Sequence, residues 1–201
     1  MSDLSERPAT ADAALVRRAR EGDMTAFEEL VMRHADRLYM TLRRFGLDDG
    51  EAQDVAQETF LRAWRSLEHF EGRSQFFTWL YRIGFNEAHR RIGRRPAAGA
   101  EISTEERPLD DVAETRPGPD AQAQQAELRT ALSKALRELP PTLRAPVVLR
   151  DIEGLSTREA ATILELGEAA FKSRLHRGRM ALRDLIAAAL HGPPAAGPGW
   201  T

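Results

Sequence analysis

Apolar residues recur along this chain at the three- and four-residue spacing of amphipathic helices, and no stretch alternates in the manner of a half-buried β-strand. This spacing predicts a first group of helices and, further along, a second group. The predicted ranges are about 11–20, 24–45, 49–68 and 76–93, then about 122–138, 141–151, 157–164 and 168–189. Helical periodicity over both groups indicates an all-α protein.

The stretch between the two groups of helices differs in composition. Residues 96–120 contain four prolines, several acidic residues and few large apolar side chains, which indicates a flexible acidic linker. Residues 191–201 are rich in proline, glycine and alanine, and we expect a disordered tail there. The sequence therefore predicts two small helical domains, at 11–95 and 121–190, joined by this linker.

The composition excludes several classes of protein. None of the 201 residues is a cysteine, which removes disulfides and thiolate metal sites. No apolar run approaches the roughly 18 residues of a membrane span, and residues 2–7 lack the apolar core of a signal peptide. There is also no phosphate-binding glycine loop, no metal-ligand spacing and no nucleophile with a paired base. We therefore expect a cytoplasmic protein without membrane insertion, catalytic residues, metal or cofactor.

The charges are segregated along the chain, although the net charge is only −2. Residues 45–61 carry five acidic side chains and no basic one. Residues 62–95 carry eight arginines against three acids, and residues 171–183 carry five basic side chains and no acid. Two basic segments separated by acidic ones suit a protein that binds nucleic acid through particular surfaces.

The helix predicted over 49–68 has an unusual outer face. On a helical wheel, the apolar side chains Ala56, Phe60, Ala63 and Leu67 form the core face, and the opposite face carries Asp54, Gln57, Glu58 and Leu61. Two carboxylates, an amide and an exposed leucine suit docking to a basic protein surface. From the wheel alone, a solvated helix face remains the alternative.

The segment from Phe70 to Asn86 combines aromatic and basic residues. A short loop, 70–74, leads into a helix with one face bearing Tyr81, Phe85, Ala88 and Ile92 and a second bearing Trp79, Ile83, Asn86 and Arg90. On the second face, Trp79 would stack on or wedge against a base, Asn86 would hydrogen-bond a base edge and Arg90 would hold a phosphate. The alternative is that the aromatics belong to the core and the arginines to the surface.

Residues 157–189 have the pattern of a helix-turn-helix. Ser156 is a good N-cap with Glu159 at the capping-box position, and a short turn at 165–167 precedes the second helix. That helix has an apolar stripe of Phe171, Leu175, Gly178, Leu182 and Leu185, a front of Lys172, Ser173, His176 and Arg179, and flanks at Arg174 and Arg177. An apolar back with a polar, basic front suits a recognition helix in a DNA major groove. A solvated basic helix in a bundle is the alternative.

Four segments together resemble the sigma-70 family of bacterial transcription initiation factors, and specifically its compact extracytoplasmic-function group. They are 54–60 (DVAQETF), 76–83 (FFTWLYRI), 139–141 (LPP) with 147–151 (VVLRD), and 172–177 (KSRLHR). The resemblance covers roughly residues 14–186. It implies an alternative sigma factor that binds core RNA polymerase and directs promoter-specific transcription initiation. A stand-alone helix-turn-helix regulator is the competing interpretation.

The resemblance also implies roles for individual residues. The polymerase clamp helices would be bound by Asp54, Gln57, Glu58 and Leu61. The −10 element and its melted non-template strand would be bound by Phe70, Trp79, Ile83, Asn86 and Arg90. The −35 duplex would be read by Lys172, Ser173 and His176, with Arg150, Arg174, Arg177 and Arg179 on phosphates. An anti-sigma factor is the implied regulatory partner, and the linker would thread through the polymerase.

Three residues depart from the family pattern. Family members often carry an arginine where this chain has Glu71, a glycine where it has Glu165 and a β-branched residue where it has Phe171. A residue with a side chain is strained at positive φ, so either Glu165 is strained or the turn is shifted.

Overall fold

The computed structural model describes residues 6–93 and 119–191, and every regular element in these two ranges is helical. The first domain contains α1 (Glu6–Arg20), α2 (Met24–Arg44), α3 (Asp49–Ser66), a 3₁₀ turn (Leu67–His69) and α4 (Phe76–Gly93). The second contains α5 (Pro119–Glu138), α6 (Pro141–Val147), a π-helical turn (Val148–Ile152), α7 (Thr157–Ile163) and α8 (Glu168–His191). The all-α fold of two helical domains is confirmed. Nearly all of the predicted linker and tail lies outside the described residues.

Side chains cap the starts of three of the helices, α2, α3 and α7. The Asp23 carboxylate accepts a hydrogen bond from the backbone N–H of Ala26 at the start of α2. Asp48 forms a capping box at the start of α3, and Ser156 forms the predicted one at the start of α7. Each box satisfies backbone donors that have no partner within the helix.

Helix α1 begins at Glu6 and not near residue 11, and two further helix bounds differ from the sequence prediction for identifiable physical reasons. The helix expected from about residue 122 begins at Pro119, because proline is favoured at the first helical position. The helix expected over 141–151 is α-helical only to Val147 and then widens into the π-helical turn. Pro146 has no amide hydrogen to donate within this stretch, and the wider turn ends with the Glu153 amide donating to the Val148 carbonyl at 2.9 Å.

The centre of the first domain lies between α2, α3 and α4. Leu38 and Leu80 are fully buried there. Leu80 and Gly84, which belong to neither of the two faces of α4 described from the sequence, are both buried at this centre. A Cβ added to Gly84 would lie 3.1 Å from a Leu38 methyl and 3.3 Å from the Thr59 hydroxyl. Helix α4 therefore lies close against α2 and α3 because residue 84 has no side chain.

The second domain is built on the predicted apolar stripe of α8. Phe171 is fully buried and Leu175 nearly so, while Leu182 and Leu185 are half-buried. Gly178 allows α8 to approach α6 closely, since a Cβ there would lie 2.7 Å from the Leu143 carbonyl oxygen. This packing leaves the opposite side of α8 free for function.

The two domains are packed against each other. The first turns of α4 and α7 lie together, where the Thr78 hydroxyl donates to the Glu159 carboxylate at 3.3 Å. Two buried charged residues of the second domain, Arg144 and Glu153, also reach the first domain.

Candidate polymerase and nucleic-acid interfaces

The predicted docking residues form one outward face of α3. Asp54, Gln57 and Leu61 are exposed, and Glu58 is half-buried. The core side of the same helix is formed by Ala52, Val55, Thr59, Phe60 and Ala63, all buried. The structure thus brings together the four residues that the wheel placed on this face.

Helix α4 contributes charges to this face that the wheel of α3 did not reveal. Arg91 Nη2 lies 2.8 Å from Asp54 Oδ2, and Glu87 lies beside Arg62 at 3.2 Å. Arg62 also donates to Glu58 at 2.6 Å, and this hydrogen bond raises the pKa of its guanidinium. The surface is therefore a shallow groove between α3 and α4 in which acidic and basic groups alternate. Its added members, Glu87 and Arg91, come from a different helix, and no local spacing signals them.

Three aromatic rings cluster where the 70–74 loop meets α4. The Phe70 ring centroid lies 5.0 Å from that of Trp79 and 6.1 Å from that of Phe76. Phe70 and Phe76 are buried, whereas Trp79, which packs against both rings, is half-buried. The cluster thus belongs partly to the core, as the alternative interpretation held, and Trp79 is its outer member.

The other members of the predicted −10 face lie further along α4. Ile83 is half-buried, and Asn86 and Arg90 are exposed. Arg90 pairs with Glu87 at 2.9 Å, so a phosphate would have to compete with this carboxylate. In the loop, Glu71 pairs with Arg73 at 2.5 Å, both exposed. Glu71, one of the residues that depart from the family pattern, thus forms an ion pair with Arg73.

The predicted recognition helix presents its polar face outward. Lys172, Ser173, His176 and Arg177 are exposed, and Arg174 is half-buried. Glu165, in the turn before α8, has a φ of 53°. Of the two options for this turn, the structure shows the strained one: a side-chain-bearing residue adopts the left-handed conformation that glycine favours.

One predicted phosphate-binding arginine is already paired within the domain. Arg179 donates to both oxygens of Asp151 at 2.9 and 2.5 Å, and these hydrogen bonds raise the pKa of its guanidinium. Arg150, which precedes Asp151, is half-buried. Sequence reasoning missed the pair because it joins residues 28 positions apart on different elements.

The described ranges contain neither a group of metal ligands nor a membrane-spanning helix. Within residues 6–93 and 119–191, no group of three or more His, Cys, Asp or Glu side chains is arranged to hold a metal ion. Among the helices of those ranges, none is both long and apolar enough to cross a membrane.

Comparison with known proteins identifies both domains. Residues 30–96 match the family model of sigma-70 region 2, and residues 129–182 match that of sigma-70 region 4. The RNA polymerase sigma-H factor of Pseudomonas aeruginosa is 36% identical over 180 residues, which cover 85% of this chain and 91% of that protein. The ECF RNA polymerase sigma-E factor of Escherichia coli is 34% identical, covering 87% and 94%.

Solved structures with the same architecture include CnrH in complex with the cytosolic domain of CnrY. It has a TM-score of 0.64 and 30% identity, covering 89% of this chain and 98% of that one. The sigma factor RpoE of Bartonella quintana, in complex with the anti-sigma factor NepR, shares the fold with a TM-score of 0.58 at 23% identity, covering 80% and 96%.

Two helical domains that match sigma-70 regions 2 and 4 define a transcription factor of the sigma-70 type. The relatives are similar over nearly their whole length, and the chain belongs to the extracytoplasmic-function group of the sigma-70 family. It is an alternative sigma factor that directs promoter-specific transcription.

Proposed function

We propose that this sigma factor binds core RNA polymerase through the outer face of α3 and reads the promoter with two separate surfaces. The polymerase-binding residues would be Asp54, Gln57, Glu58 and Leu61. The −10 surface would comprise Phe70, Trp79, Ile83, Asn86 and Arg90. The −35 surface would comprise Lys172, Ser173 and His176 toward bases, with Arg150, Arg174, Arg177 and Arg179 toward phosphates.

One observation supports this assignment: three different helices each expose side chains of the type that one proposed partner would bind. In α3 it is a carboxylate-rich face with a leucine that is 44% exposed. In α4 it is a half-buried tryptophan followed by an exposed amide and an exposed arginine. In α8 it is a basic, polar face on the helix that follows the helix-turn-helix turn. Each face has the chemistry that its proposed partner requires.

At the −10 element, Trp79 would stack at the edge of the melted segment and Asn86 would hydrogen-bond a base that has left the duplex. Each base stacked on an aromatic ring contributes on the order of 1–3 kcal/mol. Because Phe70 is buried with the Trp79 ring 5.0 Å away, a base could stack on Phe70 only after the neighbouring side chains move. Capture of extruded bases would then favour melting.

At the −35 element, α8 would enter the major groove with its front toward base edges. Arg179 would exchange its bond to Asp151 for one to a phosphate. The protein would act in the bacterial cytoplasm, without catalytic activity of its own, and an anti-sigma factor would regulate it. Complexes with the cytosolic domain of CnrY and with NepR are known for the similar structures CnrH and RpoE, and they support the last of these proposals.

Run-off transcription with core polymerase on a genomic promoter library tests the proposed function. We expect promoter-dependent transcripts that share −35 and −10 motifs. The double variant Asp54→Arg with Glu58→Arg should abolish transcription and core binding. The matched control is Glu28→Arg with Asp36→Arg, which changes two exposed acids on α2 and should leave both intact.

A stand-alone helix-turn-helix regulator is not favoured, since the similar proteins are sigma factors over both domains. A pull-down with core polymerase separates the two functions. Failure to bind core, or core binding that survives the Asp54→Arg and Glu58→Arg changes, would contradict the proposed assignment.

A further inference from the structure

Helix α8 extends beyond the part of the second domain for which the family accounts. The match to sigma-70 region 4 ends at residue 182, but the helix continues to His191. Leu182 and Leu185 are the last apolar residues of α8 that pack against the buried core of the described residues. The turns after Leu185 are therefore not required to hold the helix-turn-helix together, and their apolar side chains need another explanation.

One face of these last turns is apolar and accessible. Ile186 is half-buried, and Leu190 is 37% exposed although its side chain is large and apolar. A shallow groove of about 490 Å³ lies along this face. Its lining residues follow the three- and four-residue spacing of a single helix face. Together they form the α8 strip, which consists of Arg179, Leu182, Arg183, Ile186, Ala187 and Leu190.

Two arginines lie at the N-terminal end of the α8 strip. Arg179 is held by Asp151 through two hydrogen bonds. Arg183 pairs with the adjacent Asp184 at 2.9 Å, and the two side chains are 66% and 68% exposed. Such an exposed pair contributes little, so this guanidinium exchanges its partner readily. An apolar floor with a guanidinium at one end suits an aromatic ring, and tryptophan is the ring that binds arginine best.

The chain supplies such a ring directly after α8. Residues 192–201 (GPPAAGPGWT) contain one large apolar side chain, Trp200, and no charged residue. The sequence Gly192-Pro193-Pro194 does not favour continuation of the helix, because proline lacks an amide hydrogen and restricts the residue before it. Glycine at the first position permits a reversal of the chain direction. Burial of the indole is therefore the main favourable interaction that this segment can make.

The segment after α8 is long enough to bring Trp200 back onto the α8 strip. Trp200 lies nine positions after His191, and nine extended residues span about 30 Å at about 3.3 Å each. The strip covers eleven positions from Arg179 to Leu190, or about 17 Å at 1.5 Å per helical residue. A flexible chain of about nine residues has a typical end-to-end distance of about 15–18 Å, which matches the strip. Covalent attachment also gives the ring a high effective concentration there.

We propose that residues 192–201 fold back and bind the α8 strip through Trp200, with the indole on Ile186 and Leu190 and one face toward the Arg183 guanidinium. Contact removes three apolar side chains from water. The segment is short and contains three prolines, so little conformational freedom is lost when it binds. The bound segment closes a surface that a second molecule could otherwise occupy. This contact involves only the second domain and the residues after it, so it does not depend on the proposed function.

Fluorine NMR of the intact 201-residue chain labelled with 5-fluorotryptophan tests this contact. The chain has three tryptophans, each of which gives one signal, and Trp200→Phe identifies the signal of Trp200. In the folded parent we expect this signal to be shifted from its position in urea-unfolded protein. It should also respond weakly to exchange of H₂O for D₂O, because the ring is shielded from solvent. A Trp200 signal at its unfolded position in the folded parent would overturn the proposal.

Variants of α8 locate the contact. Ile186→Asp places a charge in the centre of the strip and should return the Trp200 signal to its unfolded position. Ala187→Asp should do the same, and it changes an exposed residue that the core does not need. The matched control is Ala188→Asp, which introduces the same side chain at the next exposed position, about 200° around the helix from Ile186. It should leave the signal of Trp200 where the parent has it.

Circular dichroism establishes that each variant is folded. A Trp200 signal that keeps its shift in every folded strip variant, or that loses it equally in Ala188→Asp, would overturn the assignment of the α8 strip as the binding site.

Dilution distinguishes a segment bound to its own helix from one bound to another molecule. For contact within one chain, the Trp200 shift should be independent of protein concentration, and sedimentation velocity of the same samples should show a monomer. A shift that is lost on dilution, or a dimer that forms only while residues 192–201 are present, would overturn folding back and identify a second copy of the chain as the occupant of the strip.

Discussion

Asp12 is a buried carboxylate by which α1 binds two side chains of α2. Its oxygens lie 2.8 Å from His34 Nε2 and 2.9 Å from Arg33 Nη1. Burial raises the pKa of Asp12, but the hydrogen bonds and charges of His34 and Arg33 outweigh it and lower the pKa below the ordinary 3.8. The unfolded chain therefore takes up this proton more readily than the folded one. Asp12 stabilises the fold above its ordinary pKa, and this contribution is lost as the pH falls through the lower, folded-state value.

Asp12→Asn should lower the free energy of unfolding by about 1–3 kcal/mol at pH 7, since it removes the anion from His34 and one of the two carboxylates that pair with Arg33, the other being Glu29. Urea unfolding at pH 7 and pH 3 measures the effect, and the difference from the parent should shrink at pH 3. Asp36→Asn, an exposed change on α2, should have almost no effect. An undiminished difference at pH 3 would show that the negative charge of Asp12 is not what stabilises the fold.

Residues with local partners were predictable, and residues with distant partners were not. The spacing of Ser156 and Glu159 predicts their capping box because both lie within one helical turn. The Arg91–Asp54 pair joins positions 37 apart, and nothing near either residue indicates the other. For the same reason the wheel could separate exposed from apolar positions in α4 but could not show that Leu80 is deepest. The depth of a residue on α4 depends on which neighbouring helices cover that side of the helix.

At the scale of elements, the close contact of α8 with α6 depends on Gly178. Gly178→Ala would place a methyl group 2.7 Å from the Leu143 carbonyl oxygen, a backbone atom that cannot move independently. We expect the variant to be destabilised by about 1–3 kcal/mol, in spite of the better helix propensity of alanine. Thermal unfolding measures the change. Gly50→Ala in α3 meets only ordinary contacts, at 3.7 Å, and should be neutral or slightly stabilising. A stable Gly178→Ala protein would mean that the two helices do not pack this closely.

Arg179 of α8 pairs with Asp151 of the π-helical turn, and we expect a mutation of Asp151 that frees Arg179 to increase DNA affinity. Asp151→Asn removes the carboxylate that binds Arg179 through two hydrogen bonds. If Arg179 binds a phosphate, the variant should bind −35 duplex up to about fivefold more tightly, because an exposed ion pair contributes about 0–1 kcal/mol. Fluorescence anisotropy over a series of salt concentrations measures this affinity. Arg179→Ala should reduce the salt slope by about one, and the additional Asp151→Asn change should then have no effect.

At the scale of the whole molecule, the sequence predicted the parts but not their arrangement. The two helical domains and the helix-turn-helix follow from periodicity, caps and charge, which are properties of short segments. The packing of one domain on the other depends on Glu153 meeting Arg37 and Arg44, more than 100 residues earlier. An acidic residue in a turn is usually solvated, and its burial follows only from the assembled fold.

The −10 and −35 surfaces of this protein should act at different steps of initiation. Lys172→Ala removes a proposed base contact of α8 and should weaken −35-dependent promoter binding by about 1–3 kcal/mol, with core binding unchanged. Trp79→Ala removes a stacking surface that matters only once bases leave the duplex, so it should impair open-complex formation more than closed-complex binding. Mobility shifts measure the first step, and permanganate reactivity of −10 thymines measures the second.

Because the changes lie in different domains and act on different steps, their effects on transcription should multiply. Normal permanganate reactivity in Trp79→Ala would remove this residue from the −10 surface. A melting defect in Lys172→Ala at saturating promoter concentration would show that the −10 and −35 surfaces do not act at separate steps.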